Sequence, residues 1–312
     1  MANKTEVGEV FLQEPIQAIS VVIPCKNEED AIEVTIKDVQ QALDGMHIDY
    51  EIIVVDDGST DNTRQLALKN NARVLVHEIN LGYGNAIMDG IHISRYPHIA
   101  ILDADGTYPA SQLPGLIKAL SRYDMVVGQR MWTPDNTSML GLLLRKALYF
   151  TILILSANRC PDFNSGFRVF HKFNMLDYRS ILCSTFSFTT TMTVLFLQTH
   201  RTIHFTPIEY SRRIGRSKVS YFRDAFRTFA FVFAITSVFR PYRINLLILL
   251  ASFVCNALIL FSAYLFPIGG GMQVGLHLFI SIPFLIISFS VDSFINSRIF
   301  HKNTFGPSNR RL

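Results

Sequence analysis

Two uncharged apolar runs near the end of this sequence constrain its architecture more than any other feature. Ile244 to Phe266 is 23 residues and Ile268 to Val291 is 24, and neither run contains Asp, Glu, Lys or Arg. Each is long enough to cross a hydrocarbon core about 30 Å thick as a helix. Pro267-Ile268-Gly269-Gly270-Gly271 makes a short turn between them, so the expectation is a two-helix transmembrane hairpin over 244–291. A pair of buried core helices is the alternative for runs of this length and composition.

Basic residues orient that hairpin. The stretch from Arg201 to Arg243 holds nine Lys and Arg against Glu209 and Asp224, and Arg298, Lys302, Arg310 and Arg311 follow the second run. Positive flanks mark the cytosolic side, which puts both termini there and the uncharged turn opposite. Residues 1–20 carry Lys4, Glu6, Glu9 and Glu14 and no apolar core of signal-peptide length, so the front domain is expected to stay cytosolic. Cys25, Cys160, Cys183 and Cys255 have no metal-ligand spacing and are expected as free thiols.

The front of the chain alternates short aliphatic runs with segments of helical spacing. Ala18 to Ile23, Glu51 to Val55, Ala72 to His77, His98 to Leu102 and Met125 to Gly128 read as strands. Strands that alternate with helices predict an α/β fold with a largely parallel sheet covered on both faces. Ligands of such sheets bind at the carboxyl ends of the strands. The polar clusters fall there: Pro24-Cys25-Lys26-Asn27-Glu28, Asp56-Asp57-Gly58-Ser59 and Asp103-Ala104-Asp105. No Gly-x-Gly-x-x-Gly or Walker-type phosphate loop occurs, which argues against dinucleotide or ordinary ATP chemistry.

Asp103 and Asp105 are the most pointed of these residues. Residues i and i+2 of a strand share a direction, so the two carboxylates can share a hard cation and its diphosphate ligand. An ordinary turn also accommodates Asp-x-Asp. Asp57 offers acceptors to a base or ribose, or simply begins an Asp-Gly turn. The cluster Arg212, Arg213, Arg216 and Lys218 around Gly215 suits a loop that closes on a phosphate, and equally a patch drawn to anionic headgroups.

In order along the chain, Val21-Val22-Ile23-Pro24, Val54-Val55-Asp56-Asp57-Gly58-Ser59-Thr60-Asp61, Asn80-Leu81-Gly82-Tyr83-Gly84-Asn85-Ala86, Asp103-Ala104-Asp105 and Asn164-Ser165-Gly166-Phe167-Arg168 resemble family 2 glycosyltransferases. Arg212-Arg213-Ile214-Gly215-Arg216-Ser217-Lys218 and the apolar end are similar to the polyprenyl-phosphate branch, typified by dolichol-phosphate mannose synthases. The resemblance covers roughly residues 18–240. It implies a glycosyltransferase-A (Rossmann-like) domain, a UDP- or GDP-sugar donor, Mg or Mn, and inversion at the anomeric carbon. The domains expected are an extension at 1–17, the catalytic domain at 18–220, an amphipathic juxtamembrane helix at 221–243, two spans at 244–291 and a basic tail at 292–312.

The same resemblance implies a residue set. Pro24, Lys26, Glu28, Val55, Asp57, Asp103, Ala104 and Asp105 would form the nucleotide-sugar pocket, and Asp105, supported by Asp103, would hold the metal. Arg130, Arg168, Arg212, Arg216, Ser217 and Lys218 would meet the acceptor phosphate, with Arg168 equally suited to a structural fork. Asp105, Arg130, Arg212 and Lys218 are the expected catalytic residues. Lys26 stands where family members carry an aromatic residue, which puts base stacking in doubt.

One departure bears on the acceptor. No Asp or Glu lies between Asp177 and Glu209, where similar enzymes that glycosylate a hydroxyl carry a base. A phosphate is already anionic near neutral pH and can attack without one. The segments Met139 to Leu155 and Tyr221 to Phe239 could lie at headgroup depth or pack against the membrane hairpin. The expected reaction is transfer of one sugar to a polyprenyl phosphate (dolichyl or undecaprenyl) at the cytosolic face of a bilayer. A hydroxyl acceptor and a non-catalytic scaffold are the alternatives. No nucleic-acid partner is expected, and a homo-oligomer is compatible with similar membrane-anchored enzymes.

Overall fold

The computed structural model describes residues 15–131, 139–185, 187–211 and 221–265. The elements run β1 (Ala18–Cys25), α1 (Ile32–Asp44), β2 (Asp49–Asp57), α2 (Thr63–Lys69), β3 (Arg73–His77), α3 (Tyr83–Ile93), β4 (His98–Ile101), α4 (Leu113–Leu120) and β5 (Met125–Arg130). They continue through α5 (Met139–Ser156), β6 (Arg168–His171), α6 (Phe173–Leu176), α7 (Phe188–Gln198), β7 (Ile203–Ile208), α8 (Tyr221–Phe239) and α9 (Pro241–Leu265).

The seven strands form one sheet in the order β3-β2-β1-β4-β6-β5-β7. All five strands expected from the sequence are present, and β6 and β7 add to them. Pairing is parallel except for β6, which runs antiparallel to both β4 and β5. The expectation of a largely parallel sheet therefore holds on either side of one reversed strand. β6, Arg168-Val169-Phe170-His171, is short and does not alternate, while β7 alternates only over Ile203-His204-Phe205-Thr206 before Pro207 interrupts it.

The central strand β1 is buried on both faces, as parallel strands under helices are. It continues one residue past Pro24, contrary to the expectation that Pro24 ends it. A parallel strand points the N–H of residues 22 and 24 to the same side. Val22 accepts there from Leu102 N–H at 3.4 Å, and β4 has already ended at Ile101, so the N–H missing from Pro24 loses no partner.

Two apolar clusters sandwich the sheet. On one face Ile19, Val21, Ile23 and Val54 pack under Ile36, Val39 and Leu43 of α1 and Leu116 and Leu120 of α4. On the other, Val22, Ile53, Val55 and Ile101 meet Ile87 and Ile91 of α3 and Phe188, Met192 and Phe196 of α7. A third cluster joins the helices α5, α7, α8 and α9 through Ile152, Leu155, Val194, Leu197, Val232, Ile235 and Ile244.

Residues 221–243, expected as one helix, hold the whole of α8 and the first residues of α9. The chain breaks at Arg240, and Pro241 opens α9, a position proline favours because the first helical N–H needs no partner. Arg240 and Arg243 moor this corner by donating to the carbonyls of Leu197 at 3.4 Å and Leu155 at 2.8 Å. Beyond it, Leu246, Leu249, Leu250, Phe253, Val254, Leu258 and Phe261 are exposed. Among the described residues α9 is the one helix long and apolar enough to cross a membrane. The second apolar run and the basic tail lie outside the described residues.

Candidate active site

The loops after β1, β2 and β4 meet at one end of the sheet, and the first two are zipped together. Asn27 has a positive φ of 51°. Its N–H donates to Ser59 Oγ at 3.0 Å and its Oδ1 accepts from Thr60 N–H at 2.8 Å. Glu28 N–H donates to Thr63 Oγ1 at 2.9 Å. Asp56 is fully buried and accepts from Ser59 N–H at 2.9 Å and Arg64 Nε at 3.1 Å. Pro24 and Val55 form the buried floor of this corner, and Lys26 and Glu28 stand half-buried at its rim.

Asp57 turns inward. Its Oδ1 accepts from Leu81 N–H at 2.8 Å and its Oδ2 from Gly82 N–H at 2.9 Å, and His77 Nδ1 lies 2.8 Å from Oδ1. The far ring nitrogen of His77 is 3.3 Å from Asp89, which Arg179 meets at 2.7 Å. Asp57 thus anchors the turn that begins α3, a task invisible in the Asp-Gly dipeptide.

Asp103 and Asp105 sit on the turn after β4 and not on the strand itself, so strand alternation does not aim them. Tertiary hydrogen bonds do. Tyr83, the first residue of α3, donates its hydroxyl to Asp103 Oδ1 at 2.7 Å. Burial, then the charge of Asp103, pushes the Tyr83 pKa well above its ordinary value and keeps the phenol a donor. Asp105 is buried, and its Oδ1 accepts from Thr107 Oγ1 at 2.6 Å and Thr107 N–H at 3.2 Å. Ala104 between them is buried, and its carbonyl accepts from Thr35 Oγ1 of α1 at 3.1 Å. Gly166 comes so close that a Cβ there would stand 2.8 Å from Asp103 Oδ1.

Among the described residues no three His, Cys, Asp or Glu side chains gather to hold a metal. Asp103 and Asp105 are therefore a two-carboxylate set. That donor set fits Mg or Mn, which takes one or two carboxylates and completes its shell with substrate phosphates and water.

Arg130 shares the electrostatic neighbourhood of Tyr108 with Asp103. Arg130, at the end of β5, grips Asp162 with a two-pronged fork, Nε to Oδ2 and Nη2 to Oδ1, each at 2.8 Å. Burial acts to lower the Arg130 pKa, but the Asp162 hydrogen bonds carry it up. Burial would likewise raise Asp162, and the Arg130 fork outweighs it and holds that carboxyl below the usual range. Arg145 of α5 lies within electrostatic reach of the pair: burial lowers its pKa, Asp162 opposes the shift and Arg130 adds to it. Arg145, inside the Met139 to Leu155 segment, was not among the residues expected at the site. An arginine in the middle of such a helix was the available signal.

The expected ligands Arg212, Arg216, Ser217 and Lys218 lie outside the described residues, but Tyr210 and Ser211 just before them do not. Ser211 N–H donates to the Thr107 carbonyl at 3.0 Å. The Tyr210 ring stands edge-on to Tyr108 at 5.2 Å, with the Arg130 guanidinium 5.4 Å from its centroid. The chain thus enters the basic segment directly beside the Asp105 turn.

Arg168 takes the second of its two expected roles. It is fully buried, donating to the Ser165 carbonyl through both Nε and Nη2, and through Nη1 to the Thr189 carbonyl at 3.0 Å and Thr193 Oγ1 at 3.2 Å. It braces the 164–166 loop against α7, and no open face is left to meet an acceptor phosphate. The amino end of α7 carries hydroxyls and no carboxylate: Thr189 and Thr190 donate to Asn164 Oδ1 at 3.1 and 3.3 Å.

The sequence model of the family described as "Glycosyl transferase family 2" matches residues 20–179, just over half of the chain. The chain belongs to glycosyl transferase family 2. The low-salt glycan biosynthesis hexosyltransferase Agl6 of Haloferax volcanii is 30% identical over 226 residues, 69% of this chain and 52% of that protein. The undecaprenyl-phosphate 4-deoxy-4-formamido-L-arabinose transferase of Edwardsiella ictaluri is 38% identical over 118 residues, 36% of each. Matches to the curated relatives at the head of the comparison span about half of their length or less. Among solved structures, glucosyl-3-phosphoglycerate synthase from Mycobacterium tuberculosis, in complex with Mn2+ and UDP-glucose, aligns with a TM-score of 0.57 at 19% identity. That alignment covers 70% of this chain and 79% of the other, and shows the shared glycosyltransferase-A-like α/β fold. Within this family 2 domain the site assembles from residues 24–28, 56–59, 103–107, 130, 145 and 162.

Proposed function

We propose that this family 2 member transfers one sugar from a UDP- or GDP-sugar to a polyprenyl phosphate at the cytosolic face of a membrane, with inversion. The observation that carries the reading is the turn at Asp103-Ala104-Asp105. Asp103 and Arg130 both act on Tyr108, Arg145 lies near the Arg130–Asp162 pair, and Ser211, just before the Arg212–Lys218 segment, donates to the Thr107 carbonyl. An anionic donor and an anionic acceptor both suit that distribution of charge.

Asp105, with Asp103 beside it, would hold the divalent ion, which when bound neutralises charge on the departing nucleoside diphosphate. The nucleoside would lie over Pro24 and Val55 between Lys26, Glu28 and the Asp57 turn. Arg130, Arg145, Arg212 and Lys218, with Arg216 and Ser217, would grip the acceptor phosphate and hold its oxygen in line with the anomeric carbon. The new bond joins that oxygen to the anomeric carbon as the bond to the donor phosphate breaks. No proton has to leave a phosphate nucleophile, which agrees with threonines in place of a carboxylate at the start of α7. The exposed apolar face of α9 supports anchoring in a bilayer, with α5 and α8 beside it to receive the isoprenoid tail.

Transfer of labelled sugar from a panel of UDP- and GDP-sugars into organic-extractable lipid tests the reading. Full-length protein with polyprenyl phosphate and Mg or Mn is expected to form an acid-labile lipid product from one donor. Product with a polyprenol or glycan hydroxyl acceptor and none with polyprenyl phosphate would replace it with hydroxyl transfer. No turnover with either acceptor, together with no nucleotide binding, would leave a scaffold.

A further inference from the structure

The helix that leads to the apolar α9 is joined to the metal-site carboxylate by an unbroken series of contacts. Arg227 of α8 donates from Nη1 to Thr185 Oγ1 at 3.0 Å, and the neighbouring Thr228 shares a hydrogen bond with Ser187. One residue before Thr185, the Ser184 carbonyl caps α3, accepting from Gly84 N–H at 2.9 Å and Asn85 N–H at 3.2 Å. No side chain performs that capping.

The cap is also a tight steric fit. A Cβ on Gly84 would stand 2.2 Å from the Cys183 carbonyl oxygen, and one on Gly82 would stand 2.7 Å from the Ser184 carbonyl oxygen. Backbone packed this closely transmits a displacement to its neighbour, since no void takes it up. Tyr83 lies between those glycines and aims its hydroxyl at Asp103.

We propose that Arg227 is a positioning residue for the metal site: it sets the Cys183–Thr185 segment, which sets the first turn of α3 and, through Tyr83, the orientation of Asp103. The inference rests on the reading of Asp103 and Asp105 as the metal carboxylates. It adds that the helix preceding the membrane segment influences how well they bind. Contiguity alone is not coupling, so the test measures coupling directly.

Full-length protein in detergent is titrated with Mn2+ in the presence of UDP, then GDP, and free Mn2+ is followed by electron paramagnetic resonance, a readout that needs no turnover. Tyr83→Phe, which removes a hydrogen bond to a ligand, is expected to weaken Mn2+ binding about tenfold. Arg227→Ala is expected to weaken it about threefold, less than the loss of a group bonded directly to a ligand, because Arg227 acts through several intervening contacts. Arg227→Lys is expected to restore most of that loss, and Arg227→Ala combined with Tyr83→Phe to bind no more weakly than Tyr83→Phe alone. Thr185→Val removes the same hydrogen bond from the other side and replaces Arg227→Ala if that variant does not fold. Wild-type affinity in both Arg227→Ala and Thr185→Val, or losses that multiply in the double variant, would overturn the inference and leave the proposed reaction intact. No Mn2+ binding by the wild type with either nucleotide would overturn the metal assignment and this inference together. Wild-type Mn2+ binding with the expected losses but no sugar transfer would uphold the positioning role and sink only the proposed reaction.

Discussion

The loops after β1, β2 and β4 and the helical layer of α5, α7, α8 and α9 are held together by different forces. Around β1, β2 and β4, loops are fastened by hydrogen bonds to side chains: Asp56 and Asp57 to backbone amides, Asn27 to Thr60, Tyr83 to Asp103. The helical layer is joined by apolar contacts, with a few arginines and threonines at its corners, and its outer surface leaves Phe226 78% and Phe253 73% exposed. Hydrogen bonds have direction, so the first region arrives pre-organised for a polar, charged ligand. Apolar contacts have little direction, and an exposed apolar face is completed by whatever apolar material covers it. In the proposed reaction the first region meets a nucleotide sugar and the second a lipid.

The sharpest break in that contrast is Asp105→Ala. It is expected to lower kcat on the order of 10²–10³-fold, the scale of losing one preorganised electrostatic group. The thermal midpoint and the circular dichroism spectrum should stay close to wild type.

Next is Asp162→Ala, which leaves Arg130 buried without its carboxylate. About 3 kcal/mol of stability should be lost, the cost of breaking a buried pair from one side, as read by urea denaturation. The pH dependence has a definite sign. The folded Asp162 pKa is lowered, so its contribution is present above the unfolded carboxylate value of about 4 and is lost as pH falls through the lower folded value. The gap between wild type and Asp162→Ala should therefore narrow below about pH 4.

Gly166→Ala sharpens the comparison from the loop side. Its Cβ would press on the Asp103 carboxylate, and a roughly tenfold fall in kcat is expected from a displaced ligand, with little change in stability. The smallest effect belongs to the apolar face. Phe253→Ser with Leu258→Ser should change folding stability by no more than about 0.5 kcal/mol, as exposed positions do. The same pair should reduce the fraction that sediments with vesicles, because it removes apolar area from the bilayer-facing surface.

Much of the loop side was legible because it is local in sequence. Short aliphatic runs marked five of the seven strands, and the polar residues that follow β1, β2 and β4 marked the end of the sheet that carries the candidate site. What escaped was pairing over long distance. Arg130 and Asp162 are 32 residues apart, and Asp57 meets the amides of Leu81 and Gly82 across 24 and 25. No local pattern announces such partners. The strand β6 was missed because Arg168 and His171 leave it only two apolar residues, and β7 because its alternation, Ile203-His204-Phe205-Thr206, covers four residues before Pro207, which demotes a strand reading.

The helical side was legible only in outline. Composition marked α9 as able to cross a membrane, but the break at Arg240 depends on hydrogen bonds to Leu197 and, through Arg243, to Leu155. Arg145 was not among the expected site residues, and folding brings it near Asp162.

The sequence by itself determined the kind of fold, the end of the sheet that carries the polar residues, and the apolar character of the chain's last third, because each follows from the order and periodicity of neighbouring residues. Only the tertiary structure decided which charged groups face a ligand and which are tied inward. Asp57 reads as a ligand along the sequence and in three dimensions also anchors the turn that begins α3, while Arg168 is fully enclosed as a brace, since burial obliges a charged group to find hydrogen bonds within the fold.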